Sequence, residues 1–163
     1  DVPYPSATAS LHHEVEMVVA LAAGGADIAS EKASALIFGY GVGLDLTRRD
    51  LQAQAKKKGH PWDVAKGFDH SAPVSALRRA AEATPGAGTV LRLEINGEQR
   101  QQTTLEHMLH GVPQIIAALS RLFELKAGDL IFTGTPAGVA ALQRGDRFHA
   151  ELVDVAELDG RIV

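Results

Sequence analysis

Two glutamates separated by one residue stand at the start of an apolar run. Glu14 and Glu16 flank Val15, and the apolar residues Met17 to Leu21 follow. On a β-strand, residues i and i+2 point to the same face about 7 Å apart. Two carboxylates so placed repel each other unless a cation or solvent lies between them. Because hard cations such as Mg²⁺ take oxygen ligands, the pair indicates a metal site at the mouth of a buried strand. A solvated strand face is the alternative.

A third carboxylate follows a second apolar segment. Asp45 comes directly after the glycine-rich residues 39–44 and is a candidate third ligand. If both lie on a helix, Asp45 and Arg49 are i,i+4 neighbours and would pair. An arginine behind a metal-bound carboxylate would orient that carboxylate. A helix N-cap at Asp45 and an ordinary surface ion pair are the alternatives, and spacing alone does not separate them.

Two further segments carry polar groups that suit a substrate. Lys66 lies in residues 64–73, a mixed polar stretch that we interpret as a loop and that also contains His70. Residues 133–138, Thr-Gly-Thr-Pro-Ala-Gly, follow an apolar run and indicate a turn whose hydroxyl and N–H groups could hold a carboxylate. A solvated lysine and a purely structural turn are the alternatives.

Composition excludes several classes of function. The chain has 163 residues and a formal net charge of −4 without a basic stripe, so we expect no binding to nucleic acid. Cysteine is absent, which excludes disulfides, zinc–thiolate sites and thiol nucleophiles. No apolar run approaches the ~20 residues of a membrane span, and no signal-peptide pattern is present. We therefore expect a cytoplasmic protein that does not enter membranes.

The elements that position these residues are mainly strands. Apolar patterns predict strands over 13–21, 37–46, 90–95, 98–102, 130–133 and 147–155. Asn96-Gly97 between two of them is a strong hairpin signal. Helices are predicted over 30–36, 47–58 and 104–122, the last with a fresh start at Pro113. These elements predict a single α+β domain over residues 1–163 that is mainly β, and not a doubly wound parallel sheet.

Six motifs in a fixed order carry a resemblance to a known family. They are LHHEVE (11–16), GLDLTRRDLQ (43–52), KKKGHPW (56–62), AKGFD (65–69), INGE (95–98) and KAGDLIFTGTPAGV (126–139). From about Leu11 to its C-terminus the chain resembles the fumarylacetoacetate hydrolase family, nearest to its acylpyruvate and fumarylpyruvate hydrolase branch. The resemblance implies a mixed β-sandwich roll, commonly a homodimer, with one Mg²⁺ or Mn²⁺ in each active site.

The resemblance also implies a role for individual residues. By motif match, the metal ligands are Glu14, Glu16 and Asp45. Catalytic roles fall on Lys66, on its glutamine partner Gln52, and on Arg49, which follows the metal aspartate. Thr135 matches the threonine that contacts the substrate carboxylate. Arg48 is a departure, since the family usually has alanine at this position.

Residues 68–75 look most like the fumarylpyruvate-cleaving members. His70 would then meet the distal carboxylate of the substrate, with an ordinary loop histidine as the alternative. Members of this branch carry a preceding lid helix whose His-Glu pair activates the attacking water, and the present chain begins after that segment. Without the lid, the nearby imidazoles are those of His12, His13 and His70.

The implied activity is metal-dependent hydrolysis of a carbon–carbon bond in a 2,4-diketo acid. The substrate would be an acylpyruvate, with fumarylpyruvate as the leading candidate, and the products pyruvate and a carboxylic acid. Decarboxylation of oxaloacetate is an alternative that uses related chemistry. A non-catalytic domain that binds a metal or a metabolite is an alternative of another class.

Overall fold

The computed structural model describes all residues 1–163, and its named strands all pair antiparallel. The strands are β1 (Leu11–His12), β2 (Val15–Leu21), β3 (Ile37–Leu44), β4 (Thr47–Arg48), β5 (Arg78–Arg79), β6 (Val90–Ile95), β7 (Glu98–Thr104), β8 (Leu130–Phe132), β9 (Arg147–Leu152) and β10 (Ala156–Arg161). The helices are α1 (Ser30–Ala33), α2 (Arg49–Lys58), α3 (Asp63–Lys66) and α4 (Val112–Ser120), and 3₁₀ turns cover Ser34–Leu36 and Leu105–His107.

Two four-stranded sheets enclose the core. One has the order β5-β3-β2-β8 and the other β10-β9-β6-β7, while β1 and β4 form a separate pair. Strand β3 packs against β9 and β10, and β2 packs against β6. The apolar side chains of both sheets form one buried cluster between them. This architecture confirms the predicted fold class, a mainly β sandwich with a few packed helices.

Strand β2 is the rigid centre of its sheet. All seven of its residues are buried, and β3 and β8 pair with it on either side. Each fully buried Val, Leu or Met side chain contributes about 1.5–3 kcal/mol through removal from water. The burial extends to Glu16, which is only 4% exposed. The carboxylate of Glu16 is therefore held by a strand that the surrounding core fixes in place.

The glycines of β3 allow a second chain segment to lie against the sheet. A Cβ atom at Gly39 would stand 2.1 Å from the carbonyl oxygen of Arg78, closer than real atoms approach. At Gly43, a Cβ would stand 2.9 Å from the Phe132 ring and 3.0 Å from the Pro73 carbonyl oxygen. Glycine at these two positions therefore lets neighbouring segments approach the strand closely.

The hairpin of β6 and β7 forms as its turn sequence predicts. Asn96 and Gly97 adopt φ values of 54° and 79°, the left-handed region that such a two-residue turn requires. A register shift lies between Leu93 and Glu94, and as a result Gln101 stands opposite Leu93. Residues directly opposite in an antiparallel pair share one face. Gln101 therefore points into the core with Leu93.

Two helical predictions need correction, and one strand was missed. Helix α2 begins at Arg49 because Thr47 and Arg48 pair as β4, although it ends as expected at Gly59 with φ 66°. The long helix predicted over 104–122 is confined to α4, and Leu109 before it is 95% exposed. Strand β10 was not predicted at all. None of the helices has both the length and the apolar character needed to cross a membrane.

Candidate active site

Three carboxylates converge where β2 begins and β3 ends. Glu14 precedes β2, Glu16 lies on it, and Asp45 follows β3. The register pairs Val15 with Leu44, and the Asp45 N–H donates to the Glu14 carbonyl oxygen at 2.8 Å, so the two strand ends are adjacent. One oxygen of each carboxylate lies within 4.8 Å of the others. This all-oxygen set suits a hard divalent cation such as Mg²⁺ or Mn²⁺.

The ammonium group of Lys66 lies between two of these carboxylates. Its Nζ is 2.7 Å from Glu14 Oε2 and 2.5 Å from Asp45 Oδ2. Burial by itself lowers the pKa of Lys66, but the hydrogen bonds to Asp45 and Glu14 outweigh it and raise that pKa above its usual value. Lys66 is the last residue of the short helix α3, not part of a loop as predicted. The structure thus shows a position between the carboxylates where positive charge is stabilised.

Arg49 binds Glu14 and not Asp45. Its Nη2 donates to Glu14 Oε1 at 2.5 Å, and its Nη1 donates to Gln52 Oε1 at 2.6 Å. The predicted i,i+4 pair between Asp45 and Arg49 is wrong because Asp45 lies outside helix α2. Since the Gln52 oxygen accepts from Arg49, its amide nitrogen remains as the donor of that side chain. The structure therefore links Lys66 and Arg49 directly to Glu14, and Gln52 to it through Arg49.

The carboxylates of the cluster have different affinities for protons. Burial raises the pKa of Glu16 to about 7, partly offset by the N–H of Gly134, which donates to it. Burial also raises the pKa of Asp45, against the opposing effect of Lys66. For Glu14, the contacts with Lys66 and Arg49 outweigh burial and hold its pKa below its usual value. A bound cation would favour the ionised form of all three groups.

The turn after β8 connects the carboxylate cluster to a cavity. The Gly134 N–H donates to Glu16 Oε2 at 2.7 Å, and the Thr133 hydroxyl donates to the Met17 carbonyl oxygen at 2.9 Å. Residues 133–137 line a cavity of about 660 Å³, together with Thr103, Met108, Ile115 and others. Thr135 is therefore one residue from a group that touches Glu16 and borders a space of ligand size.

Gln101 is a polar residue near this turn that the sequence did not indicate. Its side chain is buried, and its Oε1 lies 2.8 Å from His13 Nδ1. Its Nε2 donates to the Thr135 hydroxyl oxygen at 2.8 Å. It lies in the polar run of β7, where no apolar alternation marks an inner face. Its place opposite the buried Leu93 depends on the register shift in the hairpin, so no signal in the sequence marks it.

The structure places the predicted histidines differently from one another. His70 is exposed, in a turn with φ 62°, and its ring hydrogen-bonds to none of the three carboxylates. Burial lowers the pKa of His13, whose Nδ1 is used by Gln101. His12 Nε2 lies 3.1 Å from the Ser10 hydroxyl. The structure thus joins His13, but not His70, to the network around Thr135.

Arg48, the departure from the family pattern, supports helix α3. Its guanidinium lies 4.3 Å from the centre of the Phe68 ring, and its Nη1 donates to the Val64 carbonyl oxygen at 3.4 Å. Val64 belongs to α3 and Phe68 follows it, so both contacts flank Lys66. Arg48 therefore holds the helix that presents Lys66 to the carboxylates.

Comparison with known proteins identifies relatives over the whole chain. Residues 1–163 match the family described as fumarylacetoacetate (FAA) hydrolase, C-terminal. An oxaloacetate tautomerase of Escherichia coli, YcgM, is 50% identical over 143 residues, which are 87% of this chain and 65% of that protein. A fumarylpyruvate hydrolase of a Ralstonia species is 39% identical over 162 residues, covering 96% of this chain and 81% of that protein.

A solved structure of similar fold holds a metal and an organic acid. It is a fumarylpyruvate hydrolase from Pseudomonas aeruginosa in complex with Mn²⁺ and pyruvate. The sequence identity is 42% and the TM-score 0.97, covering 100% of this chain and 70% of that one. The chain described here thus spans about two thirds to four fifths of the length of these relatives.

Proposed function

Since the chain belongs to the fumarylacetoacetate hydrolase family, we propose that it hydrolyses an acylpyruvate, with fumarylpyruvate as the leading substrate. Water adds to the distal carbonyl carbon, the bond between that carbon and the neighbouring methylene breaks, and the methylene takes a proton. The products are pyruvate and a carboxylic acid. The observation that carries the proposal is the cluster of Glu14, Glu16 and Asp45 with Lys66 directly beside it.

The three carboxylates would hold the metal, and the adjacent turn would hold the acid. A divalent cation supplies Lewis acidity toward a 2-oxo acid when it is bound at such a site. The hydroxyl of Thr135, a residue that lines the cavity, would donate to the substrate carboxylate. The Pseudomonas relative, which binds Mn²⁺ and pyruvate, supports a site of this composition.

Lys66 and Gln52 would stabilise the negative charge that develops on the attacked carbonyl. Two N–H groups of Lys66 bind Glu14 and Asp45, which leaves the third for a ligand. The amide nitrogen of Gln52 is the second available donor, and Arg49 fixes its orientation. Donors that are already oriented stabilise an oxyanion without reorganisation during the reaction.

The attacking water also needs a base. In this branch of the family a His-Glu pair on a lid helix takes this role, and within the residues described here the candidate imidazoles are those of His12, His13 and His70. His70 is the proposed contact for the distal carboxylate, and its exposed turn is accessible to a ligand. The proposal further includes a homodimer in the cytoplasm with a small-molecule substrate.

The direct test is loss of diketo-acid absorbance, measured with fumarylpyruvate and simpler acylpyruvates in the presence of Mg²⁺ or Mn²⁺. Glu16→Gln should abolish turnover and lower metal affinity by at least tenfold, since it removes a ligand charge without changing size. The control is Glu157→Gln on β10, where the side chain is exposed, and it should change neither. Metal binding without turnover of any diketo acid or of oxaloacetate would instead support a non-catalytic binding domain.

The second candidate function is tautomerisation of oxaloacetate between its keto and enol forms. The 50% identity to the Escherichia coli tautomerase favours it. This reaction moves a proton at the methylene carbon and needs no added water. An assay that follows the enol absorbance of oxaloacetate, alongside pyruvate formation, separates tautomerisation from decarboxylation and from acylpyruvate hydrolysis.

A further inference from the structure

We infer that Gln101 is a positioning residue, one that fixes the hydroxyl of Thr135 as a hydrogen-bond donor toward the carboxylate of a bound 2-oxo acid. This inference rests on the proposed function, since it takes Thr135 as the contact of that carboxylate. It adds a buried network that links β2, β7 and the turn after β8. Thr135 is the member of the network whose side-chain hydroxyl would contact the ligand, while Gln101 itself does not line the cavity.

The orientation of the Gln101 amide is fixed by backbone groups. Its Oε1 accepts from the Val15 N–H at 3.1 Å, and its Nε2 donates to the Pro136 carbonyl oxygen at 2.9 Å. A backbone N–H only donates and a backbone carbonyl only accepts. In the reversed orientation the amide nitrogen would face the N–H donor and the amide oxygen would face the carbonyl acceptor. The oxygen and nitrogen of Gln101 are therefore assigned by chemistry.

The remaining contacts of Gln101 then follow. Because Oε1 only accepts, His13 Nδ1 must carry the hydrogen in its 2.8 Å contact with Gln101. Because Nε2 only donates, the Thr135 oxygen must accept in its 2.8 Å contact. The side chain of Gln101 thus makes four hydrogen bonds, which is its full complement, and it is 1% exposed. A fully satisfied buried amide has one stable orientation.

The consequence falls on the proton of Thr135. A hydroxyl has one hydrogen to donate, and the bond from Gln101 occupies one of the oxygen's acceptor positions. The hydrogen of Thr135 is left to donate to another partner, at the border of the cavity. A carboxylate is an acceptor only, so the network presents the polarity that a carboxylate needs. If the threonine instead donated inward, its lone pairs would face the anion.

The network also lies next to the metal carboxylates without belonging to them. Val15, whose N–H binds Gln101, stands between Glu14 and Glu16 in the chain. Thr135 follows Gly134, whose N–H binds Glu16. A single buried amide thus connects the backbone between the two glutamates to the turn that carries Thr135.

The test is a double-mutant cycle on pyruvate affinity, measured by calorimetry with the Mn²⁺-loaded protein. Thr135→Val removes the hydroxyl at nearly constant shape and should weaken pyruvate binding about tenfold or more, the effect of a hydrogen bond to a charged group. Gln101→Met should weaken binding about three- to tenfold in the wild-type background. In the Thr135→Val background, Gln101→Met should have almost no further effect.

A matched control and a second variant keep the result interpretable. Gln102→Met makes the same chemical change at an exposed neighbour on β7 and should leave pyruvate affinity unchanged. If Gln101→Met does not fold, Gln101→Glu keeps the shape and the acceptor oxygen while it removes the amide donor. Any direct effect of its added charge is present in both backgrounds and cancels in the cycle.

The outcomes separate this inference from the proposed function. Weakening by the Gln101 substitution that disappears without the Thr135 hydroxyl supports the inference. Equal weakening in both backgrounds, or none in either, overturns it and leaves the role of Thr135 intact. If Thr135→Val itself leaves pyruvate affinity unchanged, the assigned carboxylate contact is wrong and the inference falls with it. Failure to hydrolyse acylpyruvates, with pyruvate binding retained, refutes only the hydrolase proposal.

Discussion

Replacement of Lys66 by methionine tests the centre of the site, because this change keeps a long side chain and removes only the ammonium group. In the wild type, the basic side chains of Lys66 and Arg49 lie beside the three carboxylates. In the variant, Arg49 is the remaining basic partner. The exposed fractions of the paired side chains, 26% for Lys66, 12% for Glu14 and 27% for Asp45, are intermediate between surface and core. Surface ion pairs contribute about 0–1 kcal/mol and loss of a buried partner costs about 3–5 kcal/mol.

These limits give an expected loss of about 1–2 kcal/mol in the metal-free free energy of unfolding. With Mg²⁺ bound the loss should shrink, because the cation then neutralises the same carboxylates. Metal affinity should be equal to that of the wild type or higher, since a neighbouring positive charge has been removed. If Lys66 stabilises the oxyanion, kcat should fall by a factor on the order of 10²–10³.

The assay combines thermal unfolding, with chelator and with saturating Mg²⁺, and steady-state hydrolysis of fumarylpyruvate by the full-length protein. Lys57→Met makes the same substitution at an exposed lysine on α2 and is the matched control. It should change neither the free energy of unfolding nor kcat. A kcat within threefold of the wild type would refute the catalytic role of Lys66. A metal affinity that collapses in Lys66→Met would show that its part is to organise the carboxylates and not to act on the substrate.

Three further predictions follow from the structure. Glu16 must lose its proton to bind a metal, and its pKa is raised to about 7. The apparent Mn²⁺ affinity should therefore be roughly tenfold lower at pH 6 than at its plateau above pH 8. A flat pH profile of affinity by calorimetry would contradict this. Arg48→Ala removes the contacts with Phe68 and Val64. It should lower the free energy of unfolding by about 1 kcal/mol and kcat by a few-fold, while metal affinity stays the same. An unchanged kcat would refute the support that Arg48 gives to α3. Leu109, Leu122 and Phe123 are large apolar side chains exposed by 62% or more, and we expect a homodimer; light scattering that gives a monomer mass at micromolar concentration would exclude it.

The carboxylate cluster could be predicted from the sequence because each acid marks the end of an apolar strand. The antiparallel register of β2 and β3 then brings those ends together, which is the simplest outcome for adjacent strands. The partner of Arg49 could not be predicted in the same way. The i,i+4 rule applies only within a helix, and Asp45 lies four residues before the first turn of α2.

Gln101 was out of reach for a different reason. With an ideal register from the Asn96-Gly97 turn, Arg100 would stand opposite Leu93. Arg100 would therefore lie on the inner face of the sheet. The register shift between Leu93 and Glu94 moves the strand by one residue, and the neutral amide of Gln101 takes that place. A bulge of this kind leaves no mark in a run of polar residues, yet it decides which side chain enters the core.

The short hydrogen bond from the Gly134 N–H to Glu16 has a thermodynamic consequence for ligand order. Glu16 belongs to the candidate metal cluster, and Gly134 lies in the same turn as Thr135, so each ligand would settle the position of a group that the other needs. Such coupling is reciprocal: the factor by which a metal raises affinity for the organic acid equals the factor by which the acid raises affinity for the metal. When the free metal concentration is below the dissociation constant of the metal alone, the site would be occupied chiefly by metal and acid together. The fraction of protein with both ligands bound would then follow the product of the two ligand concentrations.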